Sequence, residues 1–134
     1  IAALAPALAA DIYGLETLAA DVEDEAHNTT RFLILSKKKE LASAGKGPVI
    51  TTFLFQVRNI PAALYKAMGG FATNGVNMTK LESYQLGGAF TATQFYADIE
   101  GHPDETPVNN ALEELQFFCD KFRILGIYPK DGER

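Results

Sequence analysis

From Val49 to Tyr128 the sequence switches between two hydrophobic periodicities in a fixed order, and that order limits the folds open to it. Val49 to Val57 is rich in β-branched and aromatic residues and reads as a strand, apolar in part on both faces. Pro61 suits the first position of a helix, and Leu64, Met68, Phe71 and Ala72 supply its apolar stripe. Gly69-Gly70 weakens that helix by about 1 kcal/mol per glycine, and Asn74-Gly75 ends it. Met78 to Leu86 and Ala89 to Glu100 read as a hairpin across Gly87-Gly88. Thr106 is placed to cap a second helix with Pro107 at its first position, and Val108, Ala111, Leu112, Leu115, Cys119 and Phe122 form its buried stripe. Arg123 to Tyr128 reads as the last strand.

Strand, helix, strand, strand, helix, strand is the ferredoxin-like βαββαβ arrangement, an α+β fold. Right-handed crossovers place both helices on one face of a four-stranded antiparallel sheet. The other face, expected to carry some of Phe53, Phe55, Phe90 and Tyr96, then needs cover from a second copy or another domain.

The preceding residues follow a different pattern. Residues 2–13 are Ala-rich and read as a helix in which Pro6 is tolerated only in the first turn, with Gly14 as a C′ residue. Leu15, Leu18, Ala19 and Val22 recur at helical spacing and predict a second short helix. Glu23 to His27 reads as a polar loop and Arg31 to Leu35 as a strand. The composition of residues 36–48, with Lys37-Lys38-Lys39 and Gly45-Lys46-Gly47-Pro48, is that of a linker. The expected division is therefore 1–36, a linker at 37–48, and a module at 49–134. An opening Ile within a helical pattern, with no initiator Met, is expected of a piece of a longer protein.

Charge separates the same parts. Residues 1–36 hold six acids against Arg31 alone, which accounts for the formal net charge of −5, and the remainder is balanced. With no basic stripe, nucleic-acid binding has no support. Hydrophobic content of 47% is enough for a packed core. One cysteine excludes an internal disulfide and fits a reducing compartment. No apolar run approaches the roughly 20 residues of a membrane span.

Two constellations bear chemistry. In Asn28-Thr29-Thr30-Arg31-Phe32, a hydroxyl beside a guanidinium suits a small anionic substrate, since Arg binds carboxylates bidentately. The plainer alternative is an Asx-turn at Asn28, a β-branched residue opening a strand, and an exposed arginine. In the second, Asn59-Ile60-Pro61-Ala62-Ala63-Leu64 puts small residues at a strand-to-helix turn whose backbone N–H groups suit a carboxylate. A tight turn that simply needs small residues explains it equally well. Asn77-Met78-Thr79-Lys80-Leu81-Glu82-Ser83 completes this second constellation. The two Asn-x-Thr sequons are discounted without a sign of secretion. His27 among acids lacks ligand spacing for a metal. Cys119 reads as core, and His102-Pro103-Asp104 as a turn with no role.

Both constellations resemble signatures of one family. Asn28-x-Thr30-Arg31-Phe32, preceded by Tyr13-Gly14-Leu15, resembles the end of the catalytic domain of prephenate dehydratases. The rest is similar to the regulatory ACT domain that follows it there. The resemblance implies Thr30 as the catalytic hydroxyl, with Asn28 and Arg31 shaping the site, prephenate as substrate and phenylpyruvate as product. It implies a phenylalanine site formed by Asn59, Pro61, Ala62, Ala63, Leu64, Asn77, Met78, Thr79, Glu82 and Ser83, between two ACT domains of a homodimer or homotetramer. The family's turn carries glycine where this chain has Ala62, and Arg-Pro where it has Tyr84-Gln85. A cytoplasmic enzyme without metal or organic cofactor is expected. The alternatives are a stand-alone amino-acid-sensing ACT module and, disfavoured by Thr30-Arg31-Phe32, the regulatory domain of an aromatic amino-acid hydroxylase.

Overall fold

A computed structural model of the chain describes residues 2–24, 30–58, 60–86 and 92–131. The chain divides into two compact units, Ile1–Leu35 and Ser36–Arg134.

Among the described residues of the first unit the one regular element is α1 (Ala7–Tyr13). Pro6 sits at its N-cap and Gly14, at φ 62°, ends it in the left-handed conformation. The helix is shorter than its Ala-rich sequence predicts, because proline sets where it begins. The second helix expected over Leu15–Val22 does not form, and the strand expected over Arg31–Leu35 is absent too. Leu15, Leu18, Val22, Phe32, Leu33, Ile34 and Leu35 are all exposed. Short helices are marginal in water without an apolar face to bury, and a strand needs a neighbour to hydrogen-bond.

The second unit contains β1 (Val49–Val57), α2 (Ala63–Thr73), β2 (Met78–Gln85), β3 (Ala92–Glu100), α3 (Thr106–Phe117) and β4 (Cys119–Pro129). The sheet order is β2-β3-β1-β4 and every pairing is antiparallel. This is the ferredoxin-like order read from the sequence. The register aligns Phe55 with Phe95 and with Phe122, and Leu54 with Tyr96 and Arg123. The alternation of strands then sorts side chains between faces. Phe53, Phe55, Phe95, Ala97 and Ile99 join Ala67 and Phe71 of α2 and Val108, Ala111, Leu112 and Leu115 of α3 in one core. Phe55 and Phe95 stack at 5.1 Å, and Phe53 lies 6.1 Å from Phe71.

Phe53 and Phe55 therefore belong to the helix-covered face and not to the opposite one, which carries Leu54 and Tyr96; Phe90 lies outside the described residues. On that opposite face Thr52 and Asp98 are nonetheless buried. Thr52 Oγ1 donates to Asp98 Oδ1 at 2.5 Å and shares a 2.8 Å hydrogen bond with the Tyr128 hydroxyl.

Both helices differ from expectation in detail. α2 begins at Ala63, with Ala62 as N-cap, so Pro61 precedes the helix. Its buried face is Ala63, Ala67, Gly70 and Phe71, while Met68 is only half-buried and Ala72 exposed. Small residues face α3 because the helices approach closely there: a Cβ on Gly70 would lie 2.8 Å from Glu114 Cβ. In α3 the N-cap is Glu105 and not Thr106. Cys119 and Phe122 lie on β4, which begins four residues earlier than expected because Cys119 and Lys121 pair with Val57 and Gln56. The expected Gly87-Gly88 loop lies outside the described residues.

Candidate functional site

The first constellation lies in the segment that lacks regular structure. Thr30 and Arg31 are both exposed, and Phe32 is 85% exposed beside them. Asn28 falls outside the described residues. The first unit thus presents an exposed hydroxyl and guanidinium on neighbouring residues, without enclosing them.

The second constellation is split by the sheet. β1 ends at Val57, and the turn Pro61–Leu64 follows it. Gln56 pairs with Gln94, and Gln94 with Tyr84, so Ser83 and Tyr84 lie at that same end. Asn77 lies at the other: its carbonyl accepts from the Glu100 N–H at 3.0 Å, and Glu100 pairs with Ile50 at the start of β1. At about 3.3 Å per residue, the two ends of a strand the length of β1 stand roughly 25 Å apart. Within one chain, Asn77-Met78-Thr79 and Pro61-Ala62-Ala63-Leu64 do not converge.

Individual side chains sharpen this. Ala63 is buried, with its N–H donating to the Ile60 carbonyl at 3.1 Å, and Leu64 is half-buried against the core, so the exposed residues of the turn are Pro61 and Ala62. Ala62 takes φ 57° and ψ 25°, a left-handed conformation at the position where the family's turn carries glycine. Asn59 is outside the described residues. The Asn77 side-chain amide donates to Glu100 Oε2 at 3.1 Å, Met78 packs half-buried on the core, and the Thr79 hydroxyl donates to the Asp98 carbonyl at 3.4 Å.

Glu82 is held by two neighbours on its own strand. The Tyr84 hydroxyl donates to Glu82 Oε2 at 2.6 Å, and Lys80 Nζ lies 3.0 Å from Oε1. Alternate residues of a strand share a face, which is why these three meet. The Tyr84 hydrogen bond, then Lys80, holds the Glu82 carboxyl below its usual range, and the same bond raises the Tyr84 phenol. Lys80 also lies 5.2 Å above the Tyr96 ring. Tyr84, which stands where the family has arginine, thus contributes a neutral hydroxyl to Glu82.

Sequence reasoning missed His102. It is buried, with both ring nitrogens engaged, and the signal available was its place between Gly101 and Pro103 before a helix. Cys119 is half-buried; burial, then Asp120, pushes its thiol up to about 11, so it is a poor nucleophile.

The topology and core define the second unit as a ferredoxin-like α+β module preceded by a segment with its own sequence signature. Residues 1–40 match the family model described as prephenate dehydratase. A bifunctional N-acyl-homoserine lactone acylase/prephenate dehydratase of Komagataeibacter europaeus is 57% identical over 95% of this chain and 45% of its own length. A bifunctional chorismate mutase/prephenate dehydratase of Aquifex aeolicus is 39% identical over 96% of this chain and 34% of its own length. The crystal structure of a prephenate dehydratase from Arthrobacter aurescens in complex with L-Phe is 28% identical, with a TM-score of 0.60 over 71% of this chain and 31% of that one. Along nearly its whole length the chain is similar to prephenate dehydratases, and it spans less than half the length of these relatives.

Proposed function

We propose that the chain is the C-terminal part of a prephenate dehydratase: the end of the catalytic domain over residues 1–36, a linker over 37–48, and an ACT regulatory module over 49–134. The observation that carries this reading is one similarity running through both parts, 57% and 39% identical over 95% and 96% of the chain in two dehydratases. In the reaction, prephenate loses its ring carboxylate as CO2. The released electron pair enters the ring and expels the hydroxyl, which leaves as water after gaining a proton. Aromatisation supplies the driving force, so the enzyme's task is to help the hydroxyl depart. Thr30 is the group assigned to this. Its hydroxyl is a very weak acid, so it acts by hydrogen bonding to the departing oxygen. Arg31 fixes a substrate carboxylate, and Asn28 shapes the segment. Residues beyond this chain close the site, and the fragment alone is inactive.

The ACT module binds L-phenylalanine. Its turn offers the Ala62 and Leu64 N–H groups, since Pro61 has none and the Ala63 N–H donates to the Ile60 carbonyl at 3.1 Å, while Thr79, Glu82 and Ser83 lie on β2 and Asn77 just before it. Because these lie at both ends of one sheet, the effector site takes its two halves from two copies of the chain, in a homodimer or homotetramer in the cytoplasm. Phenylalanine lowers activity by binding one arrangement of the oligomer more tightly than the other.

The test is Thr30→Ala in the full-length protein. Dehydratase turnover is expected to fall by at least about 100-fold, the scale of one positioned donor, with phenylalanine binding retained. Wild-type turnover in that variant would refute the assignment. A second reading, N-acyl-homoserine lactone acylase activity, is favoured by the name of the 57% identical relative. Hydrolysis of such lactones by the full-length protein, surviving Thr30→Ala, would support it.

A further inference from the structure

Residues 36–48 are not a free tether. Ala42 is half-buried, and its N–H donates to the Ile127 carbonyl of β4 at 2.9 Å. The Ala42 carbonyl in turn lies 3.1 Å from His102 Nε2. Pro48, at the end of the same strap, accepts from the Lys130 N–H at 2.9 Å. Both polar backbone groups of Ala42 are thus bound to the module.

The imidazole that completes this contact is fixed from its other side. His102 is 6% exposed. Its Nδ1 accepts from the Asp104 N–H at 3.0 Å, so the proton sits on Nε2, which donates to Ala42. The His102 N–H donates to Glu105 Oε1 at 3.1 Å, tying the same residue to the N-cap of α3. Through Gly101, whose carbonyl accepts from the buried Thr51 hydroxyl at 2.7 Å, the corner is also joined to β1. His102 therefore joins the strap to α3 and, through Gly101, to β1, while the Ala42 N–H separately ties the strap to β4.

We propose that His102 and Ala42 form a clip that transmits the state of the ACT module to the segment bearing Thr30 and Arg31; this rests on the reading of that module as a phenylalanine sensor. Ten residues separate Arg31 from Ala42. A shift of β4 or α3 on effector binding pulls on Ala42, and a short chain passes the displacement on. An unclipped strap would absorb it. His102 is a positioning residue here, touching neither substrate nor effector.

The experiment uses the full-length protein and three changes: His102→Ala, His102→Gln, and a six-residue Gly-Ser insertion between Ser36 and Lys37. For each, dehydratase activity without effector, phenylalanine affinity by calorimetry, inhibition by saturating phenylalanine, and hydrogen exchange over residues 40–44 are measured. In His102→Ala the Ala42 N–H keeps its bond to the Ile127 carbonyl, but opening of the strap is opposed by one hydrogen bond fewer, so exchange at that amide should rise about tenfold. Activity without effector and phenylalanine affinity should stay within about twofold of wild type, while maximal inhibition falls by more than half. His102→Gln, which keeps a donor near the Nε2 position, should retain most of the inhibition. The insertion should lose inhibition with the exchange pattern intact, which separates transmission from damage to the fold. Wild-type inhibition in His102→Ala, or in the insertion, would overturn the clip while leaving the sensor reading standing. A wild-type protein that neither binds nor responds to phenylalanine would overturn both.

Discussion

Replacing Ala62 with glycine should stabilise the protein, against the usual direction of an Ala-to-Gly change. Ala62 is the N-cap of α2 and adopts φ 57°. An L-residue there brings its Cβ close to the following carbonyl oxygen, at a cost of about 1–2 kcal/mol. Glycine removes that cost but adds freedom to the unfolded chain, which takes back about 0.4–1 kcal/mol. The net expectation is roughly 0.5–1 kcal/mol in favour of the folded state. Ala62 is exposed and makes no side-chain cap hydrogen bond, so lost packing does not offset the gain. For a domain of this size, about 1 kcal/mol moves Tm by 4–8 °C, giving an expected rise of about 2–8 °C by calorimetry. A companion change, Ala62→Val, should lower Tm, because a β-branched residue is the more strained at positive φ. A fall in Tm for Ala62→Gly, equal to that of glycine introduced at an ordinary helical position, would show that Ala62 is not left-handed in solution.

Gly70→Ala should have the opposite sign. The gain in helix propensity is about 1 kcal/mol, but the new Cβ meets Glu114 Cβ at 2.8 Å and α3 must shift, so a net loss of about 1–2 kcal/mol is expected. A urea midpoint that rises in Gly70→Ala would contradict the close helix approach. Cys119, with its thiol pushed up to about 11, should be alkylated at pH 8 on the order of 100-fold more slowly than an ordinary cysteine thiol. The rate should climb about tenfold per pH unit toward that value. The unfolded thiol ionises first, so this group lowers stability as pH rises past the ordinary thiol range. A rate that levels off near pH 9 would refute the burial effect.

The order of strands and helices was legible because each element in Val49–Tyr128 buries one face, and burial imposes its period on the sequence. What escaped was the rotation of α2. Its sequence offers Leu64, Met68 and Phe71 as the largest apolar groups, yet the close approach to α3 selects Ala63, Ala67 and Gly70. Pairwise fit between elements is not a property of either element alone. The same reason moved Cys119 from a helix stripe to a strand, since its pairing with Val57 is a contact across 62 positions in sequence. In the first unit periodicity misled outright: Leu15, Leu18 and Val22 keep helical spacing without forming a helix. Spacing records the face a segment would bury, and forming the element requires that the burial takes place.

The candidate effector residues show where motif reading stops. Pro61-Ala62-Ala63-Leu64 and Asn77-Met78-Thr79 were grouped by resemblance, and the sheet puts roughly 25 Å between them. A ligand the size of an amino acid cannot bridge that distance in one chain. Either one half suffices, or binding joins two chains. The second case has a thermodynamic signature, because a ligand held between two copies adds its binding free energy to their association. Phenylalanine would then tighten the dimer, and its apparent affinity would rise with protein concentration. The first case predicts an affinity independent of concentration. The edge position of β2 favours the second, since among the described residues β3 is the one strand paired with it, and Glu82 is already oriented by Lys80 and Tyr84 on that strand.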